Sequence, residues 1–282
     1  MTTENAPGRS SEASGAKAHG AGGKTDSPSY EPAHALLAGR TVLITAAAGT
    51  GIGFATAKRC AEEGATVAIS DRHERRLTAS AEELADIMGA KPIAVPCDVT
   101  AETDVQRLFA TVTAELGRID ALVNNAGLGG TCDLVDMSDE QWSRVLDVTL
   151  GGTFRCTRAA LRHMCPRRTG VIVNNASVLG WRAQAGQAHY AAAKAGVMAL
   201  TRSAAIEAAP HGVRVNAVAP SLAMHPNLAK VTSDALLDEL TSREAFGRAA
   251  EPWEVANVIV FLASGYSSYL TGEVVSVSSQ HP

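Results

Sequence analysis

The stretch TVLITAAAGTGIGFATAK, residues 41–58, decides the fold. Thr41 to Thr45 is a short, β-branched apolar run of the kind buried on both faces in a parallel sheet. AAAGTGIG, Ala46 to Gly53, follows at once, and Phe54 to Lys58 reads as the start of a helix. Strand, glycine-rich turn and helix in that order make a cradle for a dinucleotide pyrophosphate. The glycines let the backbone approach the phosphates, and the helix N-terminus offers free N–H groups and a partial positive charge. Thr45, Gly49, Thr50, Gly51, Ile52 and Gly53 are the candidate contacts in this turn.

The next strand, Thr66 to Ser70, delivers Asp71, eighteen residues after Gly53. A carboxylate there accepts hydrogen bonds from ribose hydroxyls and repels a 2′-phosphate, which favours NAD. Arg72 is the alternative determinant, because a guanidinium meets a 2′-phosphate, which leaves NADP open. A polar helix from about His73 to Met88 leads to the strand Ile93 to Val95. Asp98 and Val99 then stand where a side chain meets the adenine edge. Val105, Leu108, Phe109, Val112 and Leu116 recur at helical spacing, so that stripe is core. Ile119 to Val123 is the fourth strand and runs into Asn124-Asn125-Ala126-Gly127, with Asn124 read as a stabiliser of the turn. Ser138, ahead of Asp139 and Glu140, is the N-cap of a helix that runs through Trp142 and Leu146 past Phe154.

Val171 to Val173, the fifth strand, carries the chain to Ser177. Tyr190 opens the next helix, and Lys194 lies one turn later on the same face. An ammonium beside a phenol favours the phenolate, so the pair predicts a tyrosine shifted down toward working pH, able to exchange a proton with an alcohol oxygen. Ser177 supplies a second hydrogen bond to that oxygen. Many small residues follow in this helix, among them Ala195, Gly196, Ala204 and Ala205, and predict close helix packing, including against a second subunit. His189, one position before the tyrosine, is read as structural. Val213 to Val218 is the sixth strand, ending at Pro220. Residues from about 221 to 248 form the substrate lid, Pro252 opens a helix, and Glu273 to Val277 is the closing strand.

With 46% apolar and 19% charged residues among 282, the composition is that of a globular chain. A net charge of -4 without a basic run argues against nucleic-acid binding. Five scattered cysteines without a Cys-x-x-Cys pair point to a reducing cytoplasm. His163 and Cys165 lack the further ligands of a metal site. No apolar run approaches the ~20 residues of a membrane span. Residues 1–36 are Gly/Ser/Ala-rich and predict a flexible tail ahead of one domain over 37–282.

Alternating strands and helices, the glycine turn, Asp98, Asn124 to Gly127, Ser177 and Tyr190-x-x-x-Lys194, all in order, resemble the short-chain dehydrogenase/reductase family. The resemblance implies an α/β, Rossmann-like doubly wound fold: one domain with a seven-stranded, mainly parallel sheet and helices on both faces. It implies hydride transfer between a nicotinamide and a carbinol or carbonyl carbon, with Tyr190 as general acid/base. Lys194 would lower its pKa and hold the nicotinamide ribose, and Ser177 would polarise the substrate oxygen. Asn125, Ala126, Gly127 and Pro220 would join Asp71, Asp98, Tyr190 and Lys194 around the cofactor. The expected assembly is a homotetramer or homodimer.

Within the family, AAAGTGIG, the His73-Glu-Arg-Arg segment and the ending YLTGEVVSVSSQHP resemble actinobacterial reductases of steroid-ring breakdown, which act on coenzyme A thioesters. A 3-oxoacyl-thioester reductase is the alternative, and a catalytically silent cofactor-binding protein is the rival of another class. Leu128, Trp181, Arg182 and Gln184 are the expected substrate contacts. Four departures from the family pattern stand out. Ala46 and Ala47 replace the first glycine of the turn, and since alanine resists positive φ, Gly49 is expected to absorb the strain. Thr149 stands where the family's relay asparagine does, with its backbone carbonyl left to hold a water. Pro220-Ser221 replaces Pro-Gly, with His225 in place of a threonine. Ser278-Ser279-Gln280 replaces Asp-Gly-Gly.

Overall fold

A computed structural model describes residues 28–224 and 234–279. The expected tail over residues 1–27, His225 and Gln280 lie outside the described residues. The strands are β1 (Thr41–Thr45), β2 (Thr66–Asp71), β3 (Ile93–Pro96), β4 (Ala121–Asn124), β5 (Gly170–Asn175), β6 (Val213–Pro220) and β7 (Val274–Val277). They lie in the order β3-β2-β1-β4-β5-β6-β7, and every pairing is parallel. The order reverses between β1 and β4, so a crevice opens beyond the carboxyl ends of those two strands, where doubly wound sheets hold ligands.

Alternation along the strands divides the core. Val42 and Ile44 of β1 join one layer with Phe54, Ala57 and Cys60 of α1 (Ile52–Glu62), Leu77 and Leu84 of α2 (Glu74–Met88), and Val255 and Ile259 of α8 (Pro252–Ala263). Leu43 points the other way, into a layer with Leu108 and Val112 of α3 (Glu102–Leu116), Cys156 and Ala160 of α5 (Gly152–Met164), and Ala204 of α6 (Ala188–Ala208). Local chemistry fixes the helix ends. Gly89 takes a left-handed φ of 66° after α2. Ser138 and Gln141 form a reciprocal capping box at the start of α4 (Asp139–Leu146), and Glu251 and Glu254 form one at α8, with Pro252 in its first turn.

Two sequence expectations change. The tail was expected to reach residue 36, but Tyr30 to Leu36 are bound to the domain. Arg59 and Glu63 form a buried ion pair on α1 (2.6 Å). The guanidinium also donates to the carbonyls of Glu31 and Pro32, and the carboxylate accepts from the N–H groups of His34 and Leu36. Tyr30 packs edge-on against Trp253 of α8 and donates to Glu62. Polar composition over 36 residues hid these few anchoring side chains. The single helix expected past Phe154 is also interrupted: Asp147–Gly151 is wound as a π-helix between α4 and α5. Periodicity cannot register one extra residue in a turn, although such bulges gather at functional sites. The segment after β6 holds α7 (Asp234–Arg243), a helix inside the expected lid. Among the described residues, no helix is long and apolar enough to cross a membrane.

Candidate active site

The glycine turn sits at the switch point. The Thr45 hydroxyl donates to Val123 O and accepts from the N–H groups of Asn125 and Ala126, tying the ends of β1 and β4 together. Asn125 Nδ2 donates to Ala46 O at 2.9 Å. Gly53 makes this possible: a Cβ there would stand 2.3 Å from Ala46 O and 2.4 Å from Asn125 Nδ2. Gly51 caps α1 with no side-chain hydrogen bond, so the first N–H groups of that helix keep their capacity for an anion. The strain falls on Gly49, as expected, but not on Gly49 alone. Ala46 itself adopts a left-handed φ of 50°, and Gly49 takes 98°. The Asn125 and Thr45 bonds fix the chain so tightly on either side of Ala46 that the alanine accepts the conformation. Ser80 of α2 accepts from Gly49 N (3.1 Å), a support that sequence reasoning missed because a mid-helix serine carries no signal.

Asp71, buried at the end of β2, accepts from the N–H of His73 (2.9 Å) and more distantly from that of Ala48 (3.4 Å). Its carboxylate therefore faces the glycine turn. Arg76 reaches it at 4.0 Å, whereas Arg72 turns toward His73. Asp98 is occupied locally, accepting from the N–H and hydroxyl of Thr100. Val99 packs where Gly152 leaves no room for a Cβ (2.6 Å to its Cγ2), bringing α5 up to the sheet. Asn124 is structural, as expected: it donates to Thr157 Oγ1 and Asn174 Oδ1, and Asn174 continues the buried chain to Thr201.

The sheet and α6 bring Ser177, Tyr190 and Lys194 together. Ser177 follows β5 and caps a short turn through Leu179 N, and its side chain lies close enough to the Tyr190 phenol to pull that group's pKa down against burial. Lys194 is 3% exposed; its Nζ lies 5.5 Å from the Tyr190 ring centroid and donates to Asn175 O at 2.5 Å. Burial lowers the ammonium from 10.5 to about 8. Burial also raises the phenol above 10, against a smaller opposing pull from Ser177. The expected downward shift of Tyr190 is thus corrected: the lysine is itself desolvated and directs its hydrogen at a backbone carbonyl. Asn175 was not singled out from the sequence, yet it holds Lys194 by its main chain and donates from its side chain to Asn125 Oδ1 (2.9 Å).

Thr149 lies inside the π-helix, fully buried. Its hydroxyl accepts from Leu128 N (3.0 Å) and donates to Leu128 O (3.2 Å). Its carbonyl, expected to hold a water, accepts from the Thr153 hydroxyl at 2.7 Å. Thr149 therefore clamps the glycine loop after β4. Along that loop a Cβ at Gly127 would lie 3.5 Å from Lys194 Nζ, and one at Gly129 would lie 3.7 Å from the Tyr190 ring. Trp181 is exposed, Arg182 and Gln184 are half-buried before α6, and Leu128 is half-buried in the loop after β4. Pro220 ends β6 beside Val277. A cavity of about 280 Å³ lies between Ser221, Phe246, Arg248 and Ser276 to Ser279, where the expected lid begins and ends. Arg248 grips Glu254 with both terminal nitrogens (2.6 and 2.8 Å).

A parallel doubly wound sheet with a phosphate-ready glycine turn at its switch point, and a serine, tyrosine and buried lysine beside it, defines a nicotinamide-dependent oxidoreductase. The chain belongs to the short-chain dehydrogenase/reductase family, and the family model described as enoyl-(acyl carrier protein) reductase matches residues 46–279. A Mycobacterium tuberculosis protein named (5R,7aS)-5-hydroxy-7a-methyl-1-oxo-2,3,5,6,7,7a-hexahydro-1H-indene-carboxyl-CoA reductase is 63% identical, over 88% of this chain and 95% of its own length. The 3-oxoacyl-(acyl-carrier-protein) reductase of Thermotoga maritima is 42% identical, over 86% of this chain and 97% of its own. A crystal structure of a short-chain dehydrogenase from Mycobacterium smegmatis superposes with a TM-score of 0.81 at 57% identity, covering 91% of this chain and 99% of that one. The protein is an enzyme that interconverts alcohol and carbonyl groups.

Proposed function

We propose that the enzyme interconverts a secondary alcohol and a ketone on an alicyclic acyl-thioester of coenzyme A derived from steroid rings, with NAD favoured over NADP. The observation that carries the chemistry is the buried Lys194 held 5.5 Å from the Tyr190 ring, with the Ser177 side chain beside the same phenol. The residues fit a dinucleotide: α1 offers uncapped N–H groups, Gly53 clears the turn, and Lys194 lacks a carboxylate partner among the described residues. When bound, the nicotinamide supplies or accepts the hydride. Ser177 orients the substrate oxygen. In reduction Tyr190 delivers its proton to that oxygen, and a phenol kept above 10 holds that proton throughout the neutral range. Lys194, charged below about 8, stabilises the phenolate left behind. Thr149 holds the loop over Tyr190 in place of relaying the proton.

Asp71, with a carboxylate facing the turn, supports NAD. The substrate reading rests on the 63% identity to the indene-carboxyl-CoA reductase. A 3-oxoacyl-thioester is the second reading, favoured by the likeness to the Thermotoga enzyme. Retention of all three proton-handling residues argues against a silent protein. We place the enzyme in the cytoplasm on its scattered, unpaired cysteines, and as a homotetramer or homodimer because Trp142, Phe154, Ile206, Phe261 and Tyr269 leave apolar surface exposed. Steady-state rates with both cofactors on cyclic-keto and linear 3-oxoacyl-CoA thioesters test the reading, with Asp71→Ala alongside. The expected result is faster turnover of the cyclic thioester with NADH and a shift toward NADPH in Asp71→Ala; a wild-type preference for NADPH overturns the cofactor assignment.

A further inference from the structure

His189 was read from the sequence as structural, and its geometry gives it a second use. It is only 3% exposed, and its Nδ1 accepts the backbone N–H of Tyr190 at 2.9 Å. That N–H is one of the donors a helix start leaves without an intrahelical partner. An accepting Nδ1 requires the neutral ring to carry its hydrogen on Nε2. Nε2 reaches the loop after β4, 3.6 Å from where a Cβ on Gly130 would stand, while the preceding glycine, Gly129, lines the edge of the Tyr190 ring. This donor has no protein partner among the described residues, and the wall it approaches is firmly held. Cys132 N donates to Gly186 O (3.0 Å), Gln187 Nε2 donates to Thr131 Oγ1 (3.1 Å), and Thr149 clamps Leu128. A buried imidazole with one nitrogen spent on the catalytic helix and the other offered at the glycine loop is a fixed, neutral hydrogen-bond donor.

Resting on the reductase reading above, we propose that His189 is a specificity-determining residue whose Nε2–H binds a carbonyl oxygen of the substrate other than the one being reduced. Desolvated donors reject a substrate lacking the matching acceptor far more strongly than apolar walls reject a change of size. Nδ1 meanwhile makes His189 a positioning residue for Tyr190, and the two roles separate by substitution. His189→Asn keeps an acceptor for the Tyr190 N–H and removes the donor. His189→Gln extends an amide toward the Nε2 position and gives up the near acceptor.

The test compares kcat/KM for a cyclohexanone carrying an acyl-coenzyme A thioester on the ring with that for the same cyclohexanone carrying a methyl group there. Nucleotide binding by each variant checks that it is folded. His189→Asn is expected to lower the thioester-to-methyl ratio of kcat/KM about tenfold. His189→Gln is expected to hold the ratio while kcat falls on both substrates. Equal ratios in wild type and His189→Asn overturn the proposal and leave the reductase reading intact. A wild type that reduces neither ketone overturns both.

Discussion

Replacing Lys194 by methionine should stabilise the protein while destroying its activity. The side chain is fully buried, and burial brings the ammonium from 10.5 down to about 8, a displacement that corresponds to about 3 kcal/mol of penalty on the charged folded form. Losing the hydrogen bond to Asn175 O returns about 1–2 kcal/mol of that. Lys194→Met should therefore gain about 1–2 kcal/mol at pH 7. The pH dependence identifies the cause. Below pH 8 both folded and unfolded lysine are protonated, and the folded state carries the whole penalty. From about 8 to 10.5 the unfolded chain alone keeps the proton, so wild-type stability rises with pH relative to the variant, and near 10.5 the penalty is gone. Urea unfolding of nucleotide-free protein, at one protein concentration and at pH 7 and 10, measures the gap. A variant less stable than wild type at pH 7, or a gap that does not shrink toward pH 10, would refute the idea that an unpaired charge is stored there for catalysis.

Gly53→Ala should weaken nucleotide binding at least tenfold, because its Cβ displaces either Ala46 O or Asn125 from the tie across the switch point; fluorescence titration with NADH measures it. Ala46→Gly should raise stability by about 1 kcal/mol by relieving the left-handed alanine, read as a higher urea midpoint. His163 accepts from Ile119 N, and burial with Arg167 nearby lowers its pKa from 6.5. The folded chain therefore binds fewer protons than the unfolded one as pH falls below about 6.5, and stability must drop there. His163→Gln, which keeps an acceptor without titrating, should flatten that acid loss in denaturation curves taken from pH 7 to 5.

Much of this site could be read directly from residue types and spacing. Thr41 to Gly53 announces strand, turn and helix because apolar runs and glycines act locally. Tyr190 and Lys194 fall on one helical face by arithmetic alone. What escaped depends on distant partners. The φ of Ala46 is imposed by Asn125, nearly eighty residues on. The direction of the Tyr190 shift depends on how deeply α6 is buried, which no spacing reveals. The π-turn that places Thr149 under Leu128 leaves the helical pattern almost untouched. His189 illustrates the same limit: an i-to-i+1 side-chain bond to Tyr190 N runs against the rule that adjacent helical residues point apart.

The central claim is that the Tyr190 hydroxyl moves the proton that accompanies hydride transfer. Single-turnover reduction of a cyclic-keto acyl-coenzyme A thioester by pre-bound NADH, followed by loss of nicotinamide absorbance, compares wild type with Tyr190→Phe. The expected result is unchanged NADH affinity and a hydride-transfer rate lowered at least a hundredfold in the variant. A Tyr190→Phe rate within a few-fold of wild type would contradict the account.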